Sequence, residues 1–531
     1  MLKLTFWLIF LGSTSPLALA SYMTNSQKCY GFPRVVGPKT PQGSCLGLVA
    51  SREMVPWKWP RKIVFANGEA FVTALGSWKR NEGQVWKIDL SRPSKPRFQL
   101  LFDKTDRSHG LELGPDGWIY FGDATAIYKF NPKQPSKKVL VIGGLPDSYI
   151  MPDGEVIPSN HPLTDFVFLK NRDLVVNVGA PSNNCSKEYI KFKECAQRDR
   201  QAELRLFKYD PQRNTYSERP ITLARGLRNS MGLIQNDASQ ELYQLENGAD
   251  GEGTPDELNL IPLNEAPLKP LDFGWPFCFG NGSKYNDKEV SYQAFRTFCS
   301  SIAQRPLILL PAHAAPLDGL YYEGDLFPQY RNQLLMVWHG HRDSGSRLVT
   351  LKTDNLLRPM GSPEMIIDGW LKKPKGRPSG IGIDSAGAIF ITDDQNNSLV
   401  VLAPTSESRS PELPDDKDLE LEDLDQIFSK PELLQWDHLF QPAFVRTGCF
   451  NCHSEIVSEN SSRKTLTAMI KKGWIRLEEP RIENQILWYR INGLGGKIMP
   501  PVDTSPSLVD LAKSGDPTLG DIRAWFFRVT N

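Results

Sequence analysis

The chain has 531 residues, 40% of them hydrophobic and 23% charged, so it is long enough for one large globular domain and a smaller one. A formal net charge of +1 gives no reason to expect a nucleic-acid partner. The sequence contains neither a Walker glycine loop nor a dinucleotide-binding fingerprint, which argues against nicotinamide-dependent chemistry.

The N-terminus has the pattern of a secretory signal. Lys3 precedes an apolar run from Leu4 to Leu11, and Leu17 to Ala20 forms a cleavage site of small residues. No later segment reaches about 18 uninterrupted apolar residues, the length that a spanning helix needs. We therefore expect a cleaved signal peptide at residues 1–20 and a soluble, exported mature protein.

The cysteine spacing agrees with export. Of the 8 cysteines, two belong to a motif near the C-terminus, described below, and the other six form three sequence-local pairs. These pairs are Cys29 with Cys45, Cys185 with Cys195, and Cys278 with Cys299. An oxidising compartment would keep such pairs closed. Six cysteines allow about fifteen pairings, and the local ones are favoured because each closes a short loop.

A repeated pattern covers most of the chain. A turn of Gly, Asp or Asn opens an alternating apolar strand, which ends in Gly, Asp or Asn. The copies lie at residues 66–76, 114–123, 170–179, 237–247, 330–340 and 384–394. Repeats at irregular spacing are typical of propeller blades that carry loop insertions. The pattern predicts an all-β six-bladed β-propeller at residues 21–404.

Several motifs within this region occur in a fixed order. They are Gly226-Leu227-Arg228-Asn229, Glu246-Asn247-Gly248, Asp256-Glu257-Leu258-Asn259 and Phe273-Gly274-Trp275-Pro276, with further segments around His161, His313, His339 and Arg377. The set resembles the pyrroloquinoline quinone (PQQ) dependent sugar dehydrogenases of the soluble glucose, sorbosone and aldose types. The resemblance spans most of residues 100–404 and implies a sugar oxidoreductase.

The resemblance also implies roles for particular residues. His161 matches the catalytic base, and histidine suits that task because its unperturbed pKa lies near neutrality. The PQQ-binding set is Arg228, Asn229, His339, Arg342 and Arg377, and calcium would bind the backbone carbonyls of Gly248 and Ala249 near Asp256. Guanidinium groups suit the planar carboxylates of PQQ. The alternatives are solvated surface arginines and a plain acidic loop.

Other positions are weaker or depart from the family pattern. His109 and His313 are further candidates for the pocket, or else structural histidines. Asp165 follows Thr164 where the family has arginine, and Ser230 and Ala249 replace prolines. Around His339 and Arg342 the segment also differs from both the glucose and the sorbosone types.

A compositional break follows the propeller. Residues 405–432 begin with a run rich in acidic residues, Ser and Pro and poor in aromatics, which favours a flexible acidic linker. Residues 433–531 have the size of a small all-α cytochrome c domain of class I. His438 is interpreted as part of the surface of that domain.

The C-terminal region carries the motif C-x-x-C-H. Cys449 and Cys452 are spaced to form thioethers to a c-type haem, and His453 would ligate the iron. Met499, before two prolines, would be the second axial ligand. A zinc half-site or a thioredoxin-like motif is the alternative, but no second ligand pair follows and the strand-to-helix context of a redox motif is missing.

Together these patterns predict a periplasmic quinohaemoprotein with haem c, PQQ and calcium. A sugar, an aldose or a sorbosone-like aldehyde would be oxidised, and the final acceptor would be a downstream periplasmic cytochrome or a terminal oxidase. Two alternatives stay open at this point. One is a propeller without PQQ that binds carbohydrate or protein beside an electron-carrier cytochrome, and the other is a metal-dependent lactonase-like hydrolase.

Overall fold

The computed structural model describes residues 22–250, 253–264, 269–280, 282–284, 292, 295–301, 303–370, 375–405 and 462–471. The described part is a β-propeller of six blades, which confirms the predicted architecture of the large region. Among the described helices, none has the length and apolar character needed to cross a bilayer.

Several predictions fall outside the described residues and stay untested. They are the signal peptide, nearly all of the linker, and the haem residues Cys449, Cys452, His453 and Met499.

Three N-terminal strands precede the first blade: β1 (Thr24–Cys29), β2 (Phe32–Val35) and β3 (Ser44–Ala50). Blade 1 contains β4 (Pro60–Ala66), β5 (Glu69–Ala74), β6 (Gly83–Asp89) and β7 (Arg97–Thr105). Blade 2 contains β8 (Leu111–Leu113), β9 (Ile119–Asp123), β10 (Ala126–Phe130) and β11 (Val139–Ile142), followed by the hairpin β12 (Ser148–Ile150) and β13 (Val156–Pro158).

Blade 3 contains β14 (Phe166–Phe168), β15 (Leu174–Val178), β16 (Glu203–Phe207) and β19 (Ile221–Arg225). Helix α1 (Ser186–Phe192) and a 3-10 turn (Ala196–Asp199) lie between β15 and β16. The hairpin of β17 (Tyr209–Asp210) and β18 (Thr215–Tyr216) lies between β16 and β19. Blade 4 contains β20 (Ser230–Asn236), β21 (Glu241–Glu246), β22 (Asp256–Pro262) and β26 (Ile308–Leu310). Its insertion carries β23 (Leu271–Asp272), β24 (Cys278–Phe279), β25 (Ser283–Lys284) and α2 (Arg296–Ser301). Strand β23 pairs in parallel with β19 of blade 3.

Blade 5 contains β27 (Pro316–Tyr321), β28 (Leu334–Trp338), β29 (Arg347–Thr353) and β30 (Pro359–Ile367), with a 3-10 turn at Pro328–Tyr330. Blade 6 contains β31 (Pro378–Ile383), β32 (Ile389–Asp393) and β33 (Ser398–Pro404). Helix α3 (Ser462–Lys471) is the one described element of the C-terminal region.

The six sequence repeats correspond to the second strands of the six blades. Each copy supplies a turn followed by β5, β9, β15, β21, β28 or β32. These strands are buried along nearly their whole length because a neighbouring blade packs on each face. A strand that is covered on both faces requires apolar residues throughout, and this requirement made the repeat visible in the sequence.

Six apolar clusters fill the spaces between successive blades. Phe71 and Phe121 pack between blades 1 and 2, and Val72 packs with Phe390 and Val401 between blades 1 and 6. The remaining clusters lie between blades 2 and 3, 3 and 4, 4 and 5, and 5 and 6. The core is therefore a closed ring, which holds the inner strands around a central axis.

Both ends of the propeller sequence build blade 6. Strand β3 pairs antiparallel with β33 from Ser44↔Pro404 to Ala50↔Leu399, and β2 and β1 extend the sheet outward. The predicted disulfides are confirmed: Cys29–Cys45 lies in this N-terminal ladder, Cys185–Cys195 closes the loop after β15, and Cys278–Cys299 closes the blade 4 insertion.

Antiparallel blades place alternate loops at opposite edges of the ring. The loops that enter each first strand and the loops between second and third strands lie at one edge, here called the funnel edge. Its segments include residues 51–59, 75–82, 106–110, 159–165, 179–202, 226–229, 247–250, 311–315, 339–346, 375–377 and 394–397. The turns between first and second strands lie at the opposite edge.

Candidate functional site

A buried ion cluster lies on the central axis. The Lys62 ammonium contacts Asp165 Oδ2 at 2.9 Å and Asp318 Oδ1 at 2.6 Å. Asp165 also accepts a hydrogen bond from the Leu233 amide, and Asp318 accepts one from the Ile381 amide. The cluster therefore joins first strands, or the residues that enter them, from blades 1, 3, 4, 5 and 6.

This cluster accounts for the acid at position 165, where the dehydrogenases that the sequence resembles have arginine. The Asp165 carboxylate pairs with Lys62, and burial raises its pKa to about 6. Glu112 on β8 completes the axial cluster, and burial raises the pKa of its carboxyl to about 8. Burial alone would lower the pKa of Lys62, but Asp165, Asp318 and Glu112 outweigh that effect and raise it.

His161 lies in the loop that enters β14 and is buried, with 8% of its surface exposed. Its Nδ1 is 2.7 Å from the Ala180 carbonyl oxygen, which can only accept, so Nδ1 carries the proton. In the neutral ring, Nε2 is then the unprotonated nitrogen. Gly179 makes room for this side chain, because a Cβ there would lie 2.6 Å from the His161 Cβ.

The surroundings of His161 keep its ring neutral. Burial lowers its pKa well below the usual value of 6.5, and the Arg228 guanidinium lowers it further. The hydrogen bond to Ala180 opposes the shift but does not reverse it. A buried neutral imidazole with a defined tautomer is suited to accept a proton at Nε2.

Arg228 is 4% exposed and organises the loops of blades 3 and 4. Its guanidinium donates to the backbone carbonyl and side-chain oxygen of Asn183 and to the Asn247 carbonyl, and pairs with Asp250 at 3.4 Å. The Trp275 indole donates to the same Asn183 carbonyl at 2.9 Å. The motif residues Arg228 and Trp275 therefore meet at Asn183, a position that the motifs did not single out, and Asn247 joins them through Arg228.

A second buried charge cluster lies between blades 5 and 6. Asp394 Oδ2 accepts hydrogen bonds from His339 Nε2 and from Arg61, both at 2.7 Å. Arg377 donates to His339 Nδ1 at 2.8 Å, so the ring carries its proton on Nε2. Burial, opposed by Asp394, lowers the pKa of His339 to about 4. His339 and Arg377 thus lie together as predicted, and Arg61 and Asp394 are additional members.

At this edge, Arg61 Nε, His109 Nδ1 and Asn229 Oδ1 are among the buried polar atoms that have no hydrogen-bond partner in the described part of the chain. The other ring nitrogen of His109 bonds the Thr164 carbonyl, and burial with Arg61 and Lys62 lowers the pKa of the ring. Buried polar atoms are normally paired, so these three atoms are candidates for contact with a ligand.

The predicted calcium loop lies beside Arg228. The Gly248 and Ala315 amides donate to Asp256, both at 2.7 Å, so this carboxylate fixes the loop between blades 4 and 5. A cavity of about 30 Å³, lined in part by Glu246, Gly248 and Ala249, adjoins it. This volume accommodates one small ion or water. Calcium binding at Gly248 and Ala249 stays a prediction.

Two predicted residues lie apart from the buried clusters. Arg342 is exposed, and its guanidinium is 3.1 Å from the His313 ring. The only described group of three or more His, Cys, Asp or Glu side chains close enough to share a metal ion is Cys185, Glu188 and Cys195, whose sulfurs form a disulfide.

Comparisons with known proteins agree with this architecture. Residues 94–347 match a family model described as TrAA12-like. The fold is similar to the holo form of the PQQ domain of pyranose dehydrogenase from Coprinopsis cinerea, with a TM-score of 0.54 and 16% identity over 71% of this chain and 100% of that one.

It is also similar to a calcium structure of a family AA12 carbohydrate-active enzyme from Trichoderma reesei, with a TM-score of 0.53 and 17% identity over 72% of this chain and 99% of that one. An uncharacterized protein of Borreliella burgdorferi is 34% identical over 201 residues, 35% of this chain. The chain spans about half (49%) of the length of that curated relative. At these identities the solved structures show a common fold.

Proposed function

We propose that this protein oxidises a saccharide at the funnel edge with PQQ and calcium, and passes the electrons to a haem c in the same chain. The observation that carries the proposal is the neutral, tautomerically defined His161 beside the buried cation Arg228. This combination supplies a base next to a positively charged surface. The TrAA12-like match over residues 94–347 supports the same chemistry.

The residues present fit PQQ, a flat ortho-quinone with three carboxylates. Three largely buried guanidinium groups, of Arg61, Arg228 and Arg377, lie at one edge of the ring. The N–H donor of Arg61 Nε and the acceptor atom Asn229 Oδ1 have no hydrogen-bond partner among the described residues. A group with both carboxylates and a donor would satisfy them, and guanidinium forks bind planar carboxylates in two-point contacts.

The oxidation of a sugar C1 hydroxyl to a lactone removes one proton and one hydride. His161 accepts the hydroxyl proton at Nε2, while its Nδ1–H remains bonded to the Ala180 carbonyl and holds the ring in place. PQQ, when bound, accepts the hydride. Arg228 favours the neutral form of His161 before the reaction, so the base is available over the neutral pH range.

Calcium would bind at Gly248 and Ala249 through backbone oxygens, which suit a hard cation. The Asp256 carboxylate accepts a hydrogen bond from the Gly248 amide and so fixes the loop that carries these oxygens.

The haem would be attached through Cys449 and Cys452 with His453 and Met499 as axial ligands. The acidic segment at residues 405–432 would act as a tether that raises the local concentration of haem at the funnel. We place the mature protein in a bacterial periplasm, with a cytochrome or oxidase as the final acceptor.

The test is haem reduction, followed at the c-type absorbance band, in the full-length holoprotein with added PQQ and calcium. We expect reduction by one or more members of a panel of aldoses and sorbosone, and its loss when PQQ is omitted. A Cys449→Ala and Cys452→Ala variant should lack covalent haem but still reduce an added dye. Failure across the panel, with no change in protein fluorescence on addition of PQQ, would leave a binding propeller joined to an electron carrier.

A further inference from the structure

An exposed tryptophan stands on a rigid loop at the funnel edge. Trp78, between β5 and β6, has 61% of its surface exposed. The Ser77 hydroxyl donates to Glu82 at 2.6 Å and accepts from the Lys79 amide at 3.0 Å, while Gly76 lies so close to Glu82 that a Cβ there would be 1.8 Å from its carbonyl oxygen. The loop is closed on itself, so the indole is held out towards solvent by the backbone.

A second tryptophan connects this loop to the buried site. The Trp59 ring lies 6.5 Å from the Trp78 ring, centroid to centroid, at 60°. Trp59 has φ +55°, a left-handed backbone that is rare for a bulky residue. It is held there by a hydrogen bond from its amide to Asn397 and by the Leu75 amide. Arg61, two residues further on, reaches Asp394 in the cluster that holds His339.

The chemistry around this aromatic pair suits a carbohydrate. A sugar ring offers a face of C–H bonds that packs against an aromatic ring, and hydroxyl groups at its rim that bond polar side chains. Exposed Lys58, Lys79 and Glu82 surround the pair. An exposed indole with a rigid backbone binds such a ring at little cost in conformational entropy. Neither tryptophan belongs to the proposed catalytic or cofactor residues.

We propose that Trp78, supported by Trp59, is a second sugar subsite, which binds the unit next to the one that is oxidised. The substrate class is then a disaccharide or longer saccharide, with its reducing end in the funnel and the adjacent unit on Trp78. The kinetic test of this inference rests on the proposed function. The test of saccharide binding does not depend on turnover.

The catalytic test compares saccharides of increasing length in the full-length holoprotein and its Trp78→Ala variant. We expect kcat/KM for di- and trisaccharides to fall about tenfold through KM, and kcat/KM for the monosaccharide to stay unchanged. Trp78→Phe should retain most of the activity on the longer substrates. Equal losses for monosaccharide and trisaccharide, including a slower haem reduction with every substrate, would overturn the subsite and assign Trp78 to contact with the electron acceptor.

The binding test needs no reaction. Cellotriitol and maltotriitol, in which the reducing end is already an alcohol, are titrated while tryptophan fluorescence is recorded. We expect a saturable change that is lost in Trp78→Ala and kept in Trp118→Ala, which removes a tryptophan at the opposite edge beside Lys129. An unchanged response in Trp78→Ala, or none in the parent protein with either probe, would overturn the subsite, whatever the outcome of the activity assay.

Discussion

The two edges of the propeller differ in how their sequences are organised. At the opposite edge, turns of Gly, Asp and Asn recur in register with the blades and connect first strands to second strands. At the funnel edge the loops are irregular, and all five described histidines lie there: His109, His161, His313, His339 and His341. The comparison teaches that the repeated edge specifies the fold, whereas the irregular edge carries the residues of the proposed site.

The largest effect on activity should come from removing the proposed base at the funnel edge. His161→Ala should lower kcat/KM for saccharide oxidation by about 10²–10⁴-fold, because the proton would have no acceptor at that position. Steady-state haem reduction measures the loss. Asp116→Asn at the opposite edge should leave kcat/KM unchanged. If both variants retained full activity, the functional division between the edges would be wrong.

Asp394→Asn should produce the largest change in stability. The substitution leaves the buried Arg61 without its anionic partner, so we expect the free energy of unfolding to fall by about 3 kcal/mol. Urea denaturation measures it. Glu364→Gln, which removes an exposed partner of Lys352, should change the free energy by less than about 0.5 kcal/mol. A similar small change in both variants would contradict the buried cluster.

Two disulfide variants sharpen the comparison. Replacing Cys185 and Cys195 with serine should lower the free energy of unfolding by about 2.5 kcal/mol and also reduce kcat/KM, since the loop carries Asn183, which holds Arg228. Replacing Cys29 and Cys45 should cost similar stability but leave kcat/KM of the folded protein unchanged. Equal effects of the two variants on activity would indicate that the loop does not organise the site.

The last prediction concerns the pH dependence of stability. Burial raises the pKa of Glu246 to about 8, above the value of 4.5 that it has when unfolded. The folded state therefore binds the proton more tightly, so this contribution to stability is complete below pH 4.5 and is lost as pH rises to about 8. Glu246→Gln should flatten the fall in unfolding free energy between about pH 5 and 8.

The sequence predicted the propeller because its signal is local. Each second strand is covered on both faces, so an apolar run between two turns marks it without knowledge of its neighbours. The disulfides were predicted for the same reason, since all three join residues close in sequence. The motifs also located His161, Arg228, His339 and Arg377 at one edge.

The residues that the sequence reading missed depend on long-range contacts. Arg61 meets Asp394 across 333 positions, and Lys62 meets Asp318 across 256. No periodic pattern in the sequence connects such pairs, because they are brought together only when the propeller closes into a ring. One local feature of the sequence could have indicated Asp394. It is the last residue of the sixth repeat, where the second strand of blade 6 ends at the funnel edge. Arg342 was predicted from its segment, yet it lies exposed beside His313.

The shared construction of blade 6 sets the order of folding. Strand β33 pairs with β3 at positions 349 to 360 residues apart, from Ser44↔Pro404 to Ala50↔Leu399, so the ring closes only after nearly the whole propeller has been synthesised. Until then β3 presents an unpaired edge that can associate with other chains. Contacts of such sequence separation make folding slow. During folding, strands β1 to β3 therefore have to be kept from other chains until the last blade has formed.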